Sequence, residues 1–574
     1  MKKSLLLALP ALLAVTSLTG CGKTDSNDVK GEIIEGFDPV LEYEGDLDVF
    51  MYIYGQDGTW KDAGNKKWEA SDIIDGSQAL FFAAAREFKK MYPKIKINVI
   101  SGNGTGYSPS YYDNFMSYRN SHNGKPPHII HHVDPVSKLL SEGILGDYSK
   151  YKDKFPLYSH INPDLMKYYN FGGFQAAVPF GVFPIGVIVN EQVIQNKYIT
   201  LPEPTAETWT LEALDNIISA IPTNTNGAAG TINLHYEMAN FMASSIYRNY
   251  VNGEPVDFST TEVETLLEYE HKWAKDYVWF DQDSKKHPLN TDVWNNWEKN
   301  ELMASDAAAV QLDRSFSIGS LSQKAVANGT NEHFDFYPYP SIDGENMTLG
   351  TMFGALGIGD QCPINTNRVE QCTKKEKLAQ EAAAYFATFM VSDPRSIKAQ
   401  SEIEFRAGTE SNEVLKGATK GFPVLRAYDE DGETYALPSS AEGVESEYNT
   451  QFNYFYETFP TWTEEKPGFA KVVEMYKEGD FIVCSDSTYP MLIPNEIGGT
   501  ENIFAVWNDR YKASTETGNV TVADITWVDN VKSRLSDWAT NINTSIETAW
   551  SYLDETMHEF YNLPEDWDVR EKLI

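Results

Sequence analysis

Tyr54, Gln56, Asp57 and Trp60 fall within seven residues just after an apolar run of β-type, and they offer two aromatic faces edged by an amide and a carboxylate. Such a set suits a ligand with an apolar ring face and a rim of hydroxyls that both donate and accept. The same residues also fit a turn with a core-packed tryptophan. Asp134 follows a third strand, where its carboxylate can accept from two hydroxyls or cap a helix beside Pro135. Asp313 and Arg314 stand at another strand end, able to reach a ligand or to pair with each other. Trp462, in Pro460-Thr461-Trp462, is a loop tryptophan and a candidate platform.

Nothing marks a catalytic centre. A glycosidase pair could be drawn from the 83 acidic residues, but no spacing singles one out. There is no G-x-S-x-G nucleophile turn, and the ten histidines form no H-E-x-x-H. Gly102-Asn103-Gly104-Thr105-Gly106 lacks the Lys-Ser/Thr of a phosphate loop and reads as a flexible loop. His128, His131 and His132 beside Asp134 raise zinc or copper, yet neighbours 131 and 132 on a strand point to opposite faces. Asp281 and Asp283 leave open a structural calcium site, although their spacing does not complete a known loop. No enzyme activity, cofactor or metal is expected.

Lys2 and Lys3 precede an apolar run that closes on Leu18-Thr19-Gly20-Cys21. This looks like a bacterial lipoprotein signal, with the mature chain beginning at a lipidated Cys21 and working outside the cytoplasmic membrane. After it, the best apolar stretch, Phe180 to Val189, is short of the roughly 18 residues a span needs and is broken by Gly181, Pro184 and Gly186. Membrane contact is expected only through the anchor. Of the remaining cysteines, Cys362 and Cys372 flank a polar loop that an extracellular setting permits to be bridged, and Cys484 reads as a small buried hydrophobe.

Lys and Arg number 47 against 83 Asp and Glu, a formal net charge of −36. Such a surface repels nucleic acid and favours a neutral ligand over a strongly anionic one. At 574 residues with 42% hydrophobic side chains, the chain is long enough for two or more lobes. Residues 22–46 read as a spacer. Leu47 to Tyr54 is a strand, Phe81, Ala85, Phe88 and Tyr92 share a helix face that stops before Pro93, and Ile95 to Ile100 is a second strand. Pro127 to Val133 is a third strand and Val136 to Ser141 a short helix. Phe174 to Asn190 reads as two short β-runs around Pro179 and Pro184. Thr210 can cap a helix through Leu211, Leu214 and Ile217. Ala307 to Leu312 and Phe334 to Tyr339 are strand-like, Leu378 to Val391 is a helix ended near Pro394, and Ile525 to Leu553 is largely helical, with Trp527, Trp538 and Trp550 as anchors. Strand and helix alternate without an internal repeat, which disfavours a static β-rich lectin or adhesin.

Pro126-Pro127-His128-Ile129-Ile130, Leu139 to Tyr151, Gly173 to Phe180 followed by Val187-Ile188-Val189-Asn190, and Thr208-Trp209-Thr210-Leu211 occur in an order that resembles the extracellular solute-binding proteins, family 1 type, of carbohydrate ABC importers. The likeness spans most of residues 47 to 405. It departs at His128, where the family usually has an acidic residue, and after Ala307-Ala308-Ala309-Val310, where no tryptophan follows. The resemblance implies an α/β, two-lobed periplasmic-binding-protein-like fold with a central ligand cleft and interlobe crossover strands. It divides the chain into a signal (1–21), a spacer (22–46), first-lobe segments (47–180 and 341–410) and second-lobe segments (181–340 and 411–574). It places Phe180 and Phe183 at the lobe crossing, as cleft plates or as hinge packing, and Phe353 where the returning crossover approaches ligand. It further implies a lipid-anchored monomer that captures a carbohydrate, a neutral oligosaccharide above all, and presents it to the permease subunits of an ABC transporter. The alternatives left open are a surface carbohydrate-binding lipoprotein without transport, and a binding protein for a peptide or a metal ion.

Overall fold

Runs that are apolar on both faces belong in the middle of a sheet. The computed structural model describes residues 33–53, 58–102, 109–131, 136–221, 229–232, 260–276, 302–406, 414–417, 421–425, 461–483 and 550–570, with a few single positions between them. In it β1 (Gly45–Tyr52), β2 (Gly58–Trp60), β3 (Ile95–Gly102) and β4 (Ile129–His131) take the order β2-β3-β1-β4 at one end of a ten-stranded sheet. β1 is parallel to both β3 and β4, and Leu47, Val49 and Met51 on it are fully buried. The parallel strands are joined by helix Gly76–Met91, which starts where Asp75 accepts from the Ser77 and Gln78 backbone N–H groups.

A short hairpin, β5 (Asn170–Phe171) and β6 (Phe174–Gln175), leads into β7 (Ala177–Asn190). The sequence reads two runs here, but β7 is one strand of 14 residues that contains both prolines. Each proline sits beside a break in one of the two ladders that flank β7, where its missing N–H costs least. Pro179 adjoins a register shift opposite Gly354 and Ala355, and Pro184 lies beside the residue pair that ends the β9 ladder. The second half of the sheet is β8 (Ala229–Ile232), β9 (Ala308–Arg314) and β10 (Phe334–Tyr337), with β9 and β10 antiparallel to β7. β11 (Gly350–Ile358) then runs back along β7 to reach β4. β7 and β11 therefore carry the sheet from one lobe to the other.

On the first lobe, helix Lys374–Ser392 opens with a Thr373/Glu376 capping box, buries its alanines, and packs Phe386 and Phe389 against Phe88 of helix Gly76–Met91. Pro394 does more than stop it. Asp393 caps a new helix, Pro394–Glu402, with the proline at its first position, where an N–H would have no partner. Arg395 of that helix joins two buried carboxylates, Asp38 and Asp393. A second small hairpin, β12 (Glu404–Arg406) with β13 (Val414–Lys416), covers residues 70–73.

On the second lobe Thr210 caps helix Leu211–Ser219, and Trp209 is buried with its indole N–H on the Pro338 carbonyl at 2.9 Å. Helix Pro467–Lys477 has no side-chain cap of its own at Lys466. Asp335 of β10 does that work from outside, accepting from the Gly468 and Phe469 backbone N–H groups at 2.8 and 2.9 Å. The chain then adds β14 (Ile482–Val483) parallel to the start of β11. Cys484 and residues 525–546, with Trp527 and Trp538, lie outside the described residues.

The sequence places the whole of 411–574 on the second lobe, and here the structure differs. Residues 550–570 pack on the first lobe, where Phe174 and Tyr561 rings lie 4.6 Å apart and the Trp567 N–H donates to the Gly172 carbonyl. Leu553 and Met557 on helix 550–560, with Tyr561 just past its end, are spaced four apart and form a buried stripe that needs such a surface.

Asp360, just beyond β11, accepts from the Cys362 backbone N–H at 2.8 Å. Burial pushes its carboxyl up to about 6, against the opposing pull of that hydrogen bond and of Lys150 and Lys125. A raised folded-state value means that its contribution to stability is present below about pH 4 and lost as pH rises through 6. Asp360→Asn keeps an oxygen for the Cys362 N–H and removes the charge. It is expected to raise stability at pH 7.5 by up to about 2 kcal/mol and to match the native chain at pH 4. Thermal melts at the two pH values check this; an equal effect at both would show that ionisation is not the cause.

Candidate functional site

In open sheets of this kind ligands bind beyond the carboxyl ends of parallel strands. β1, β3 and β4 end side by side at Tyr52, Gly102 and His131, with Tyr52 opposite Gly102 in register. Tyr54, Gln56 and Asp57 follow the first of these ends and Asp134 the last; all four lie outside the described residues. Trp60 closes β2, half-buried, with its ring folded back over Gly58.

The three histidines do not gather. His128 accepts the Asp48 backbone N–H on Nδ1 at 3.0 Å, and burial pushes its imidazole below its ordinary value, so it serves as a neutral spacer between strands. His131 is buried between aromatic rings, 5.5 Å from Phe81 and 4.7 Å from Phe180, and His132 lies outside the described residues. Among the described residues no group of three or more His, Cys, Asp or Glu side chains is placed to hold a metal ion. Likewise no helix among them is long and apolar enough to cross a membrane.

Phe180 is the residue that the register skips, since Gly181 pairs with Gly354 and Pro179 with Ala355. It is a β-bulge. Its ring lies over Gly354, where a Cβ would stand 2.2 Å from the ring tip, so the glycine is required by contact. Phe353 sits in β11 opposite Val182, on the same crossing.

Three residues further along β7, half-buried Phe183 meets Phe316 edge to face, with centroids 6.1 Å apart and planes at 77°. The Arg314 guanidinium stands 5.8 Å from the centre of the Phe316 ring. Asp313 is buried and turned into the sheet, accepting from Gln311 Nε2 at 2.5 Å and from the Arg314 backbone N–H at 2.8 Å. Phe316 lies in the turn from β9 into helix Ser317–Asn328, and the buried hydroxyls of Ser315 and Ser317 beside it have no hydrogen-bond partner among the described residues. Sequence reasoning missed these three residues because it sought a tryptophan after the strand. The signal was an aromatic between two serines at a strand-to-helix turn.

Trp462 is corrected. It is 1% exposed, donates its indole N–H to Ser322 Oγ at 2.9 Å and packs on Phe469, so it ties helix Ser317–Asn328 to helix Pro467–Lys477 and offers no face to a ligand. Cys362 and Cys372 are joined in a disulfide with Cα atoms 4.8 Å apart. A surface pocket of about 440 Å³ opens between Thr205, Met347 and Met475 on the second lobe, and none of the candidate residues lines it.

No protein-family model and no curated protein matches the sequence. Solved structures do match. An ABC substrate-binding protein from Listeria monocytogenes in complex with cycloalternan aligns over 88% of this chain and 99% of its own, at 14% identity and a TM-score of 0.50. A sugar transporter from Rhizobium etli in an open conformation and a chitin oligosaccharide binding protein each align over 86% of this chain and 99% of theirs, at 13% identity and 0.50. At such identities the likeness is one of fold, and the chain has the mixed α/β, two-lobed fold of these solute-binding proteins.

Proposed function

We propose that this protein is the substrate-binding component of an ABC importer and captures a neutral oligosaccharide between its lobes. The observation that carries the reading is the cluster at the crossing strands, where Phe183, Phe316 and the Arg314 guanidinium combine aromatic faces with a hydrogen-bonding cation at one lobe boundary. A sugar needs both kinds of surface. The bulge at Phe180 supports closure of one lobe on the other, and ligand touching both lobes favours the closed form by its differential affinity for it. The similar structures in complex with cycloalternan, or named for chitin oligosaccharide, support the ligand class. On this reading the protein performs no chemistry, Cys21 carries the lipid, the mature monomer stands on the outer face of the cytoplasmic membrane, and its partner is a permease.

Calorimetric titration of the chain from residue 22 against oligosaccharides, with amino acids, peptides and zinc as controls, tests it. A micromolar response to an oligosaccharide without hydrolysis is the expected result. Silence across the sugars with a response to peptide or zinc would overturn the ligand class.

A further inference from the structure

The described chain leaves the second lobe at β14 and is next described from residue 547; from there to residue 570 it is seated on the first lobe at three separate places. Gly143, at φ +64°, leaves room for Phe560, whose ring a Cβ would meet at 2.8 Å. Gly172, at φ +56°, lies under the Asp568 carbonyl, which a Cβ would meet at 2.3 Å, and its own carbonyl accepts the Trp567 N–H. The third seat is the loop between Cys362 and Cys372. There Arg368 donates from Nη1 to the Tyr561 carbonyl at 2.9 Å. That arginine is itself held at φ +61°, in a turn built on Asn365, whose side-chain oxygen accepts the Asn367 and Val369 N–H groups. Most of the loop is solvent-exposed, and the position of Arg368 is set by this turn, by the Gln371 N–H on the Pro363 carbonyl at 2.7 Å, by the ion pair of Glu370 with Lys377, and by the covalent closure at the base.

We propose that the disulfide loop is the buckle of a C-terminal strap: bridged, it holds residues 550–570 on the first lobe, and opened, it releases them. The opening step is thiol exchange. A dithiol supplies two electrons and two protons, Cys362 and Cys372 become free thiols, and the reagent leaves as its own disulfide. The inference does not depend on which ligand the lobes take.

Hydrogen exchange of the full mature chain, read by mass spectrometry before and after dithiothreitol, tests it. Amides of residues 553–561 are expected to exchange at least tenfold faster after reduction, while β1 and helix Gly76–Met91 are unchanged. The double variant Cys362→Ser, Cys372→Ser should show the same acceleration without reagent, and Arg368→Ala, with the bridge intact, a smaller one in the same peptide. Unchanged exchange at 553–561, equal acceleration in β1, or a reagent effect that the double variant lacks would overturn the proposal.

Discussion

Replacing Arg395 by methionine is expected to cost about 3–5 kcal/mol of stability, the range found when one partner of a buried ion pair is removed. Arg395 donates to Asp38 from Nη2 at 2.6 Å and Nη1 at 3.1 Å, and to Asp393 from Nη2 at 2.6 Å and Nε at 2.9 Å. Both carboxylate side chains are fully buried, and among the described residues only the Tyr385 hydroxyl gives Asp38 another side-chain donor. Burial pushes the Asp393 carboxyl up and Arg395 opposes it, so the variant leaves two negative charges in a site that cannot hydrate them. Urea unfolding of native and variant chains measures the loss. Adding Asp38→Asn to the variant should recover part of it, because one orphaned charge is gone; a loss under about 1 kcal/mol would mean that the cluster behaves as an exposed pair.

Phe316→Ala is expected to weaken binding of the responding oligosaccharide by tenfold or more, about 1.4 kcal/mol, with the far-ultraviolet spectrum unchanged. On the proposed reading Phe316 is one plate of the cleft; its ring also meets Phe183 and lies beside the Arg314 guanidinium, so its removal takes away that plate and loosens two neighbours. Phe183→Ala should act in the same direction. Because the two rings touch, the double variant should lose less than the two single losses together. Calorimetric titration of the four proteins decides it, and native affinity in Phe316→Ala would remove this cluster from the site.

The parts legible in the sequence were those fixed by near neighbours. Thr210 caps its helix through a residue three positions on, and Phe81, Ala85 and Phe88 mark a helix face by spacing alone. β1 declared itself by β-propensity and length, and its Leu47, Val49, Phe50 and Met51 are buried. What stayed hidden depends on distant partners. Trp462 looks like a platform beside Pro460 and becomes a core residue through Ser322, 140 positions away. β7 looks like two strands until β11 and β9 supply the pairing that lets its prolines stay. Residues 550–570 needed Gly143 and Gly172, far earlier in the chain, to show which lobe they cover.

The register slip at Phe180 divides the β7–β11 ladder into five residue pairs on one side, Gly350 to Gly354, and three on the other, Ala355 to Gly357. A third segment meets β7 at the same place, where the Phe422 N–H donates to the Val182 carbonyl at 2.7 Å. Regular ladders resist bending because a sharp angle must break bonds in series. Here the seam already lacks one rung, so a change of angle between the lobes falls on a point with no regular bond to lose. The elastic cost of bending is thereby expected to fall on this seam and the Phe422–Val182 bond beside it, so that each lobe can keep its own ladder intact as the angle between them changes.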